Sequence, residues 1–245
     1  MPRRLRLNTN NLNLDHLIMK QIWKATLWAI LMSVVVVTPA RSDTAAPNSA
    51  PGKDLKQVLD RLQRHYRDTR SFSAKFNEEI ATVGAPKRNR SGTVSFLKPG
   101  RMRWDFEQPG KETIVSDGET VYSFDPDLNQ VIETPLKQAL KSSSATSFLL
   151  GIGNINRDFK AEFAGPPSPT GLINLKLDAK AGAYKIEIGL DPKTYDLMTL
   201  TLTDQLGDVT KIDFSDIHNN VELPNSTFAF QTPAGADVVT APASP

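Results

Sequence analysis

The 245-residue chain contains no cysteine. This absence excludes disulfide bonds, thiolate metal sites, a cysteine nucleophile and a lipid-modified N-terminal cysteine. Histidine is scarce, since the chain has only His16, His65 and His218, and their spacing does not match a zinc site. His65 lies on the polar edge of a predicted helix and His218 lies beside two asparagines, so both side chains are predicted to be solvated.

Motifs of the common enzyme classes are also missing. The chain has no P-loop and no nucleophile elbow, and Gly151-Ile152-Gly153 lacks the third glycine of a dinucleotide-binding loop. The carboxylate pair Glu78-Glu79 is predicted to face water. These features predict a protein that is not an enzyme and that needs no metal or cofactor.

The formal charge of +2 is unevenly distributed. Residues 1–40 contain five basic residues and one acidic residue, and the remainder contains 24 basic and 26 acidic residues. Because the main part of the chain is slightly negative, binding to nucleic acid is not predicted.

The apolar run Ala25–Val37 has thirteen residues, whereas a membrane-spanning helix needs ~20. Two lysines precede the run and the small residue Ala40 follows it. This pattern predicts a signal peptide over residues 1–40, with Met19 as an alternative start and an uncleaved membrane anchor as the other interpretation. Residues 41–53 are rich in Ala, Pro, Ser and Asn and predict a disordered leader.

An amphipathic helix is predicted after Asp54, a candidate N-cap. Its apolar residues recur at helical spacing and are Leu55, Val58, Leu59, Leu62 and Tyr66. From Ser71 the period changes to two, which predicts a first strand to about Thr82 and a second strand from Gly92 to Phe96.

The most regular stretch runs from Leu97 to Pro135 and predicts four strands joined by three turns. Met102, Trp104 and Phe106 alternate with charged residues along one strand. Proline and glycine follow Lys98 and Gln108, and Asp117-Gly118 is a strong hairpin signal.

The second half predicts a short helix and further strands. Pro135–Ser142 favours the helix. An apolar patch follows, which is either a core helix or a mobile cover over a cavity. It consists of Phe148, Leu149, Leu150 and Ile152. Alternation then predicts strands at Phe159–Phe163, Leu172–Leu177, Tyr184–Leu190, Leu197–Leu202 and Thr210–Phe214, with a last strand at Phe228–Phe230 and a frayed tail over Gly235–Pro245.

About ten to eleven antiparallel strands without crossover helices predict a strongly curved sheet or a partly open barrel. Apolar side chains alternate along its neighbouring strands. They are Phe72, Phe76, Val94, Phe96, Met102, Trp104, Phe106, Ile114, Tyr122 and Phe124. These residues form either a closed core or the wall of a cavity for a lipid, because both need the same pattern.

The run KPGRMRWDFEQP…IVSDGETVYSFDPDLNQV resembles the LolA family of periplasmic outer-membrane lipoprotein carriers. A weaker likeness extends from about Leu55 to Val239 and includes Ser226-Thr227-Phe228-Ala229-Phe230. The resemblance implies one carrier domain over residues 54–240, with a flexible tail at 241–245.

The resemblance implies an unclosed antiparallel β-barrel with an N-terminal helix and short mid-chain helices as a lid. It also implies a monomer that takes acylated lipoproteins from an inner-membrane ABC transporter and passes them to an outer-membrane receptor. The family has an arginine that hydrogen-bonds the lid, at the position of Lys98; Arg101 or Arg103 could share this latch role. The implied cavity-facing residues of the lid are Leu55, Leu59, Leu62, Leu140, Phe148 and Leu149.

Several alternatives stay open. A lipid- or lipoprotein-sensing module of the same fold, resembling an envelope-stress regulator, is the main one. A secreted hydrolase on a β scaffold is disfavoured by the missing catalytic motif, and a lipidated receptor by the missing cysteine. Four arginines form either a solvated face or a basic docking patch, and they are Arg88, Arg90, Arg101 and Arg103.

Overall fold

The computed structural model describes residues 54–141, 154–165, 170–179 and 185–240. The strands are β1 Ser71–Ala81, β2 Arg88–Leu97, β3 Arg101–Gln108, β4 Thr113–Asp117, β5 Thr120–Asp125, β6 Gln130–Pro135, β7 Phe159–Phe163, β8 Ile173–Ala179, β9 Lys185–Leu190, β10 Leu197–Thr203, β11 Val209–Asn219 and β12 Asp237–Thr240. The helices are α1 Leu55–Asp68, α2 Leu136–Lys141 and α3 Ile155–Asp158, and a 3₁₀ turn covers Asn225–Phe228.

The twelve strands form one sheet in the order β12-β6-β5-β4-β3-β2-β1-β11-β10-β9-β8-β7. Neighbouring strands are antiparallel, except that β12 runs parallel to β6. Since β12 and β7 are the two edges, the sheet does not close. The predicted class, an unclosed antiparallel barrel with helices, is confirmed.

Helix α1 follows from local sequence signals. The Asp54 carboxylate accepts a hydrogen bond from the Lys56 amide at 3.0 Å, as the predicted N-cap should. Val58, Leu62 and Tyr66 form the buried stripe at helical spacing. The helix therefore lies with its apolar face against the concave side of the sheet.

The pairing of β2 and β3 contains an irregularity at Gly92. The pairing register shifts between Ser91 and Gly92. A Cβ atom at Gly92 would lie 1.9 Å from the carbonyl oxygen of Asp105, so a side chain is excluded there. A bulge bends its strand and increases the local twist, which helps to wrap the sheet around its concave face.

The C-terminal segment covers the convex face behind β3 and β4. The 3₁₀ turn contacts both strands, and Phe228 is 1% exposed. Val115 of β4, which pairs with Arg103 on this face, is completely buried. The molecule thus has a second apolar layer, on the side of the sheet opposite to α1.

The prediction of a last strand at Phe228–Phe230 is wrong. Phe228 ends the 3₁₀ turn, and β12 forms within the predicted frayed tail. Val238 and Val239 pair with β6, more than a hundred residues earlier. Local sequence alone does not indicate that partner.

The predicted signal peptide, leader and tail at 1–40, 41–53 and 241–245 lie outside the described residues. In the part of the chain that the structure does describe, every helix is too short or too polar to span a membrane.

Candidate functional site

The centre of the concave face is an aromatic cluster. The ring of Trp104 lies between those of Phe76 and Phe96, with centroids 4.9 and 5.9 Å away. Phe106 packs edge-to-face on Phe76 at 5.2 Å, and Phe214 of β11 lies 6.3 Å from Trp104. These separations are those of favourable aromatic pairs. Four adjacent strands, β3, β2, β1 and β11, therefore present one continuous apolar wall.

The predicted cavity residues divide into two groups by burial. Those fully buried in the core are Leu62, Phe76, Val94, Phe96, Met102 and Phe106. Those that pack on this core but stay partly exposed are Leu55, Leu59, Phe72, Trp104, Ile114 and Leu140. We call the second group the apolar rim. Phe148 and Leu149 lie outside the described residues.

The prediction for Tyr122 is wrong, because its side chain lies on the convex face. Ile114 pairs with Ser123, so Tyr122 and Phe124 point to the face opposite to Ile114. Their rings contact Phe230, with centroid distances of 5.0 and 6.5 Å. The two-residue turn between β4 and β5 fixes this register, and a register decides the face of every side chain in a strand.

Lys98 reaches the covering helix. Its ammonium donates a hydrogen bond to the carbonyl oxygen of Tyr66, in the last turn of α1. A cation at this end complements the helix dipole. Burial lowers the pKa of Lys98, and the nearby Asp68 carboxylate offsets part of that effect.

Arg101 and Arg103 do not share this position, so their prediction as latch candidates is wrong. Arg101 donates to the Asn225 side chain at 2.8 Å, and Arg103 donates to the Thr227 carbonyl at 3.3 Å. Their side chains alternate with Met102 and Trp104 and therefore lie on the convex face, where they fasten the C-terminal segment.

A cavity of ≈ 20 Å³ lies under the end of α1. Its lining includes Tyr66, Phe72, Phe96, Lys98 and Phe214. That volume holds about one water molecule. A group larger than a water molecule could therefore enter this end of the concave face only if α1 moved.

Polar contacts hold both flanks of α1. On one flank, Gln63 accepts a hydrogen bond from the Ile155 amide of α3 at 2.8 Å. On the other, the His65 ring lies 3.0 Å from the carboxylate of Asp196, between β9 and β10. The prediction that His65 is solvated is wrong, since its side chain is 20% exposed. His218, by contrast, is exposed as predicted.

A buried ion cluster lies behind Phe106. Arg90 donates to Glu78 at 2.6 Å and to Glu112 at 3.1 Å, and its guanidinium lies 4.1 Å from the Phe106 ring centroid. Burial raises the pKa of both Glu78 and Glu112, and Arg90 partly offsets it.

The prediction that Glu78 faces water is therefore wrong, and Arg90 belongs to no surface patch. The alternation along the strand already indicated an inward position for Glu78, because it lies two residues from both Phe76 and Ile80, which face inward. Arg90 likewise lies an even number of positions from the inward residue Val94.

These features define a class: an unclosed β-barrel whose apolar concave face is covered by an amphipathic helix. Comparison by sequence identifies the family within that class. The profile of the outer membrane lipoprotein carrier protein LolA matches residues 67–231, and the chain belongs to this family.

Similar proteins include two outer-membrane lipoprotein carrier proteins. The one from Dechloromonas aromatica is 34% identical over 184 residues, covering 74% of this chain and 87% of the relative. The one from Leptothrix cholodnii is 35% identical over 182 residues, covering 73% and 83%. Among solved structures, an uncharacterized conserved protein from Thermus thermophilus has a TM-score of 0.50 at 15% identity, covering 76% of this chain and 98% of its own. That likeness concerns the fold.

Proposed function

We propose that this protein is a periplasmic carrier that shields the acyl chains of lipoproteins on their way to the outer membrane. The observation that carries the proposal is the apolar rim, which continues the aromatic wall and includes Leu55 and Leu59 of α1 itself. The names of the relatives support the cargo class. Family membership also supports a protein without catalytic activity.

The physical need for such a carrier is large. At ~0.8 kcal/mol per methylene, three chains of about fifteen methylenes would cost on the order of 35 kcal/mol if fully exposed to water. A wall of apolar side chains lowers that cost without tight directional contacts. Release then needs no chemical step in the carrier itself.

Loading requires α1 to swing away from the sheet. The helix is amphipathic, and its inward stripe packs on the same core as the wall. Moving it would expose buried residues such as Leu62 and enlarge the apolar surface. Lys98, which bonds the last turn of α1, is the latch of the closed state in this scheme.

The partners proposed with this role are an inner-membrane ABC transporter that delivers cargo and an outer-membrane receptor that accepts it. A signal peptide over residues 1–40 would direct the protein to the periplasm. The carrier domain would then span residues 54–240 and act as a monomer.

Uptake of lipoprotein from vesicles tests the proposal. Mature protein is incubated with inner-membrane vesicles that contain the transporter, a lipoprotein and ATP, and the soluble fraction is analysed for a carrier–lipoprotein complex. We expect a soluble complex with intact acyl chains. Absence of soluble lipoprotein with correctly folded carrier would refute the proposal.

A matched pair of variants locates the binding surface. Leu59→Asp places a charge on the apolar rim, whereas Leu206→Asp places one on a loop residue that is already 70% exposed. We expect Leu59→Asp to reduce uptake and Leu206→Asp to leave it unchanged.

The sensing module of the same fold remains the alternative. It predicts binding of lipoprotein without transfer to a receptor. Measurement of transfer from the loaded carrier to acceptor membranes therefore separates the two functions.

A further inference from the structure

The convex face of the sheet carries a polar groove that the carrier scheme does not use. Its volume is ≈ 450 Å³, which lies in the range of small-molecule sites. The groove crosses four adjacent strands, β11, β1, β2 and β3. Glu78 and Arg90 of the buried ion cluster border it. Its other lining residues are all polar, and they are Asn77, Glu79, Asn89, Ser91, Gln108 and Asp213. We call this site the convex groove.

Four of the lining residues form one row across the strands. Asn77 pairs directly with Asp213 on one side and with Ser91 on the other. Ser91 in turn pairs with Gln108. Because Asn77 adjoins the inward residue Phe76, the row lies on the convex face. Directly paired side chains are about 5 Å apart, so the row presents hydrogen-bonding groups at regular intervals.

The irregular pairing of β2 and β3 brings Gln108 into this row. Gln108 lies two positions beyond Phe106, so an unbroken alternation would place both side chains on the concave face. The register shifts between Ser91 and Gly92, and Gln108 pairs with Ser91 instead. A shift of this kind re-aims a side chain, and such shifts are common beside functional sites.

The neutral side chains of the convex groove have unused hydrogen-bonding capacity. In the part of the chain that the structure describes, four of them make no hydrogen bond to another protein group, and they are Asn77, Asn89, Ser91 and Gln108. An amide side chain offers two donors and one acceptor, and a hydroxyl offers one donor and two lone pairs. The groove can therefore donate and accept at several points at once.

The two carboxylates on the convex side of the groove already have partners. Lys87 Nζ lies 2.7 Å from Glu79 Oε1, and Lys211 Nζ lies 3.0 Å from Asp213 Oδ2. An anionic ligand would meet the two carboxylates, and a cationic ligand would meet the two ammonium groups. A neutral ligand meets neither penalty, so the charges around the groove favour a neutral ligand.

We propose that the convex groove binds an oligosaccharide, a neutral and hydroxyl-rich chain, which lies across the four strands. Each sugar hydroxyl both donates and accepts, which matches a row of amide and hydroxyl side chains. The sheet face of the OB-fold binds oligosaccharides in a comparable way. A peptide cannot add as a strand at this place, because all four strands have neighbouring strands on both sides.

This inference goes beyond the proposed function and does not depend on it. The convex groove and the aromatic wall lie on opposite faces of one sheet, so both can be occupied at the same time. Failure of lipoprotein uptake leaves the sugar site unaffected. Failure of sugar binding likewise leaves the carrier function unaffected.

NMR titration of the mature protein with three neutral trisaccharides tests the proposal. The probes are maltotriose, cellotriose and triacetylchitotriose, which differ in linkage and substituents. Glycerol at an equal concentration of hydroxyl groups is the comparison. We expect at least one trisaccharide to give saturable shifts of the Asn77, Ser91 and Gln108 amides, with a Kd of about 1 mM, because each neutral hydrogen bond contributes little after exchange with water. Glycerol should give none.

Two variants locate the binding surface. Gln108→Ala removes one end of the row and Ser91→Ala removes a central hydroxyl. Each should weaken binding about fivefold, the size of one neutral hydrogen bond. Ser95→Ala is the matched control, since Ser95 lies on the same strand and face as Ser91 but outside the groove. It should bind like the natural protein.

The proposal is overturned if none of the three trisaccharides gives saturable shifts. It is also overturned if glycerol gives the same shifts, or if Gln108→Ala and Ser91→Ala bind as tightly as Ser95→Ala. Melting temperatures, measured alongside, establish that each variant is folded.

Discussion

At the scale of single residues, Trp104 joins the packed core to the apolar rim. Its ring contacts the buried rings of Phe76 and Phe96, yet part of its surface stays exposed. Such a residue contributes both to folding and to any apolar ligand that enters. Phe76, which is 1% exposed and does not line the cavity under α1, should contribute to folding alone.

Trp104→Ala is expected to lower the free energy of unfolding by about 3 kcal/mol, the lower part of the range for large aromatic deletions, because the ring is not fully buried. Urea unfolding measures this loss. Uptake per folded molecule should fall as well. Trp104→Phe is the control and should recover most of both. Unchanged uptake in folded Trp104→Ala would show that the ring does not face cargo.

The Arg90–Glu78 pair allows a second prediction at this scale. Both side chains are more than nine-tenths buried, so Arg90→Leu leaves a carboxylate without its partner. We expect a loss of ~3–5 kcal/mol in unfolding free energy. The double variant Arg90→Leu/Glu78→Leu should recover most of the loss, because it removes both buried charges. A double variant as unstable as the single one would contradict this account.

At the scale of elements, the sheet carries a different cover on each face. Helix α1 lies on the concave face, fastened by Lys98, His65 and Gln63 through single polar contacts. The C-terminal segment lies on the convex face, with the buried ring of Phe228 and the two arginine contacts. Because α1 also buries Val58, Leu62 and Tyr66, both covers combine buried apolar side chains with polar contacts.

For the covering helix, Lys98→Leu should impair transfer of cargo more than folding. The variant removes the hydrogen bond to the Tyr66 carbonyl, and a substitution near the surface costs less than about 1 kcal/mol when no core is disturbed. Melting temperature and transfer to acceptor membranes are measured together. Lys98→Arg, which keeps the charge, is the control. Equal losses of stability and transfer would count against a latch.

For the C-terminal segment, Phe228→Ala should destabilise the protein by ~3–5 kcal/mol. Its ring is 1% exposed and lies on the face opposite to α1. Uptake per folded molecule should stay unchanged, as measured under conditions where the variant is folded. Loss of uptake without loss of stability would place the segment in the cargo site.

At the scale of the whole molecule, one buried and one partly buried carboxyl group make stability depend on pH. Burial raises the pKa values of Glu78 and Glu112 above the ordinary value of 4.5. A raised pKa means that the folded state binds the proton more tightly than the unfolded state does. Their contribution therefore favours the folded state increasingly as the pH falls from neutral toward 4.5.

We expect Glu112→Gln to weaken this dependence of the unfolding free energy on pH, because the amide cannot titrate. Urea unfolding between about pH 5 and about pH 7 measures the effect. Glu79→Gln is the matched control, since Glu79 forms an exposed pair with Lys87. The expectation would be contradicted if the unfolding free energy of Glu112→Gln fell with rising pH as steeply as that of the natural protein.

Much of the fold could be predicted from local pattern. Asp54 caps α1 as expected, and the strand Phe159–Phe163 has the predicted bounds. Alternation also placed Trp104, Phe96 and Ile114 on one face. These outcomes depend on side-chain period and turn residues, which are properties of neighbouring positions.

Several wrong predictions share a physical cause, which is that the deciding partner is distant in sequence. Tyr122 is a different case, because the pairing register of the short β4–β5 hairpin sets its face. His65 could not be paired with Asp196, because the two residues are 131 positions apart in the sequence. β12 was missed because its partner strand is β6.

The sequence by itself determined the family, the alternating strands and the amphipathic helix, since each depends on the order and spacing of nearby residues. Tertiary structure decided which apolar side chains are packed shut and which remain on the partly open rim. It also decided that Lys98 and Asp196 meet α1 while Arg101 and Arg103 meet the C-terminal segment. The reason is that burial and pairing depend on how strands distant in sequence are brought together, which no local pattern contains.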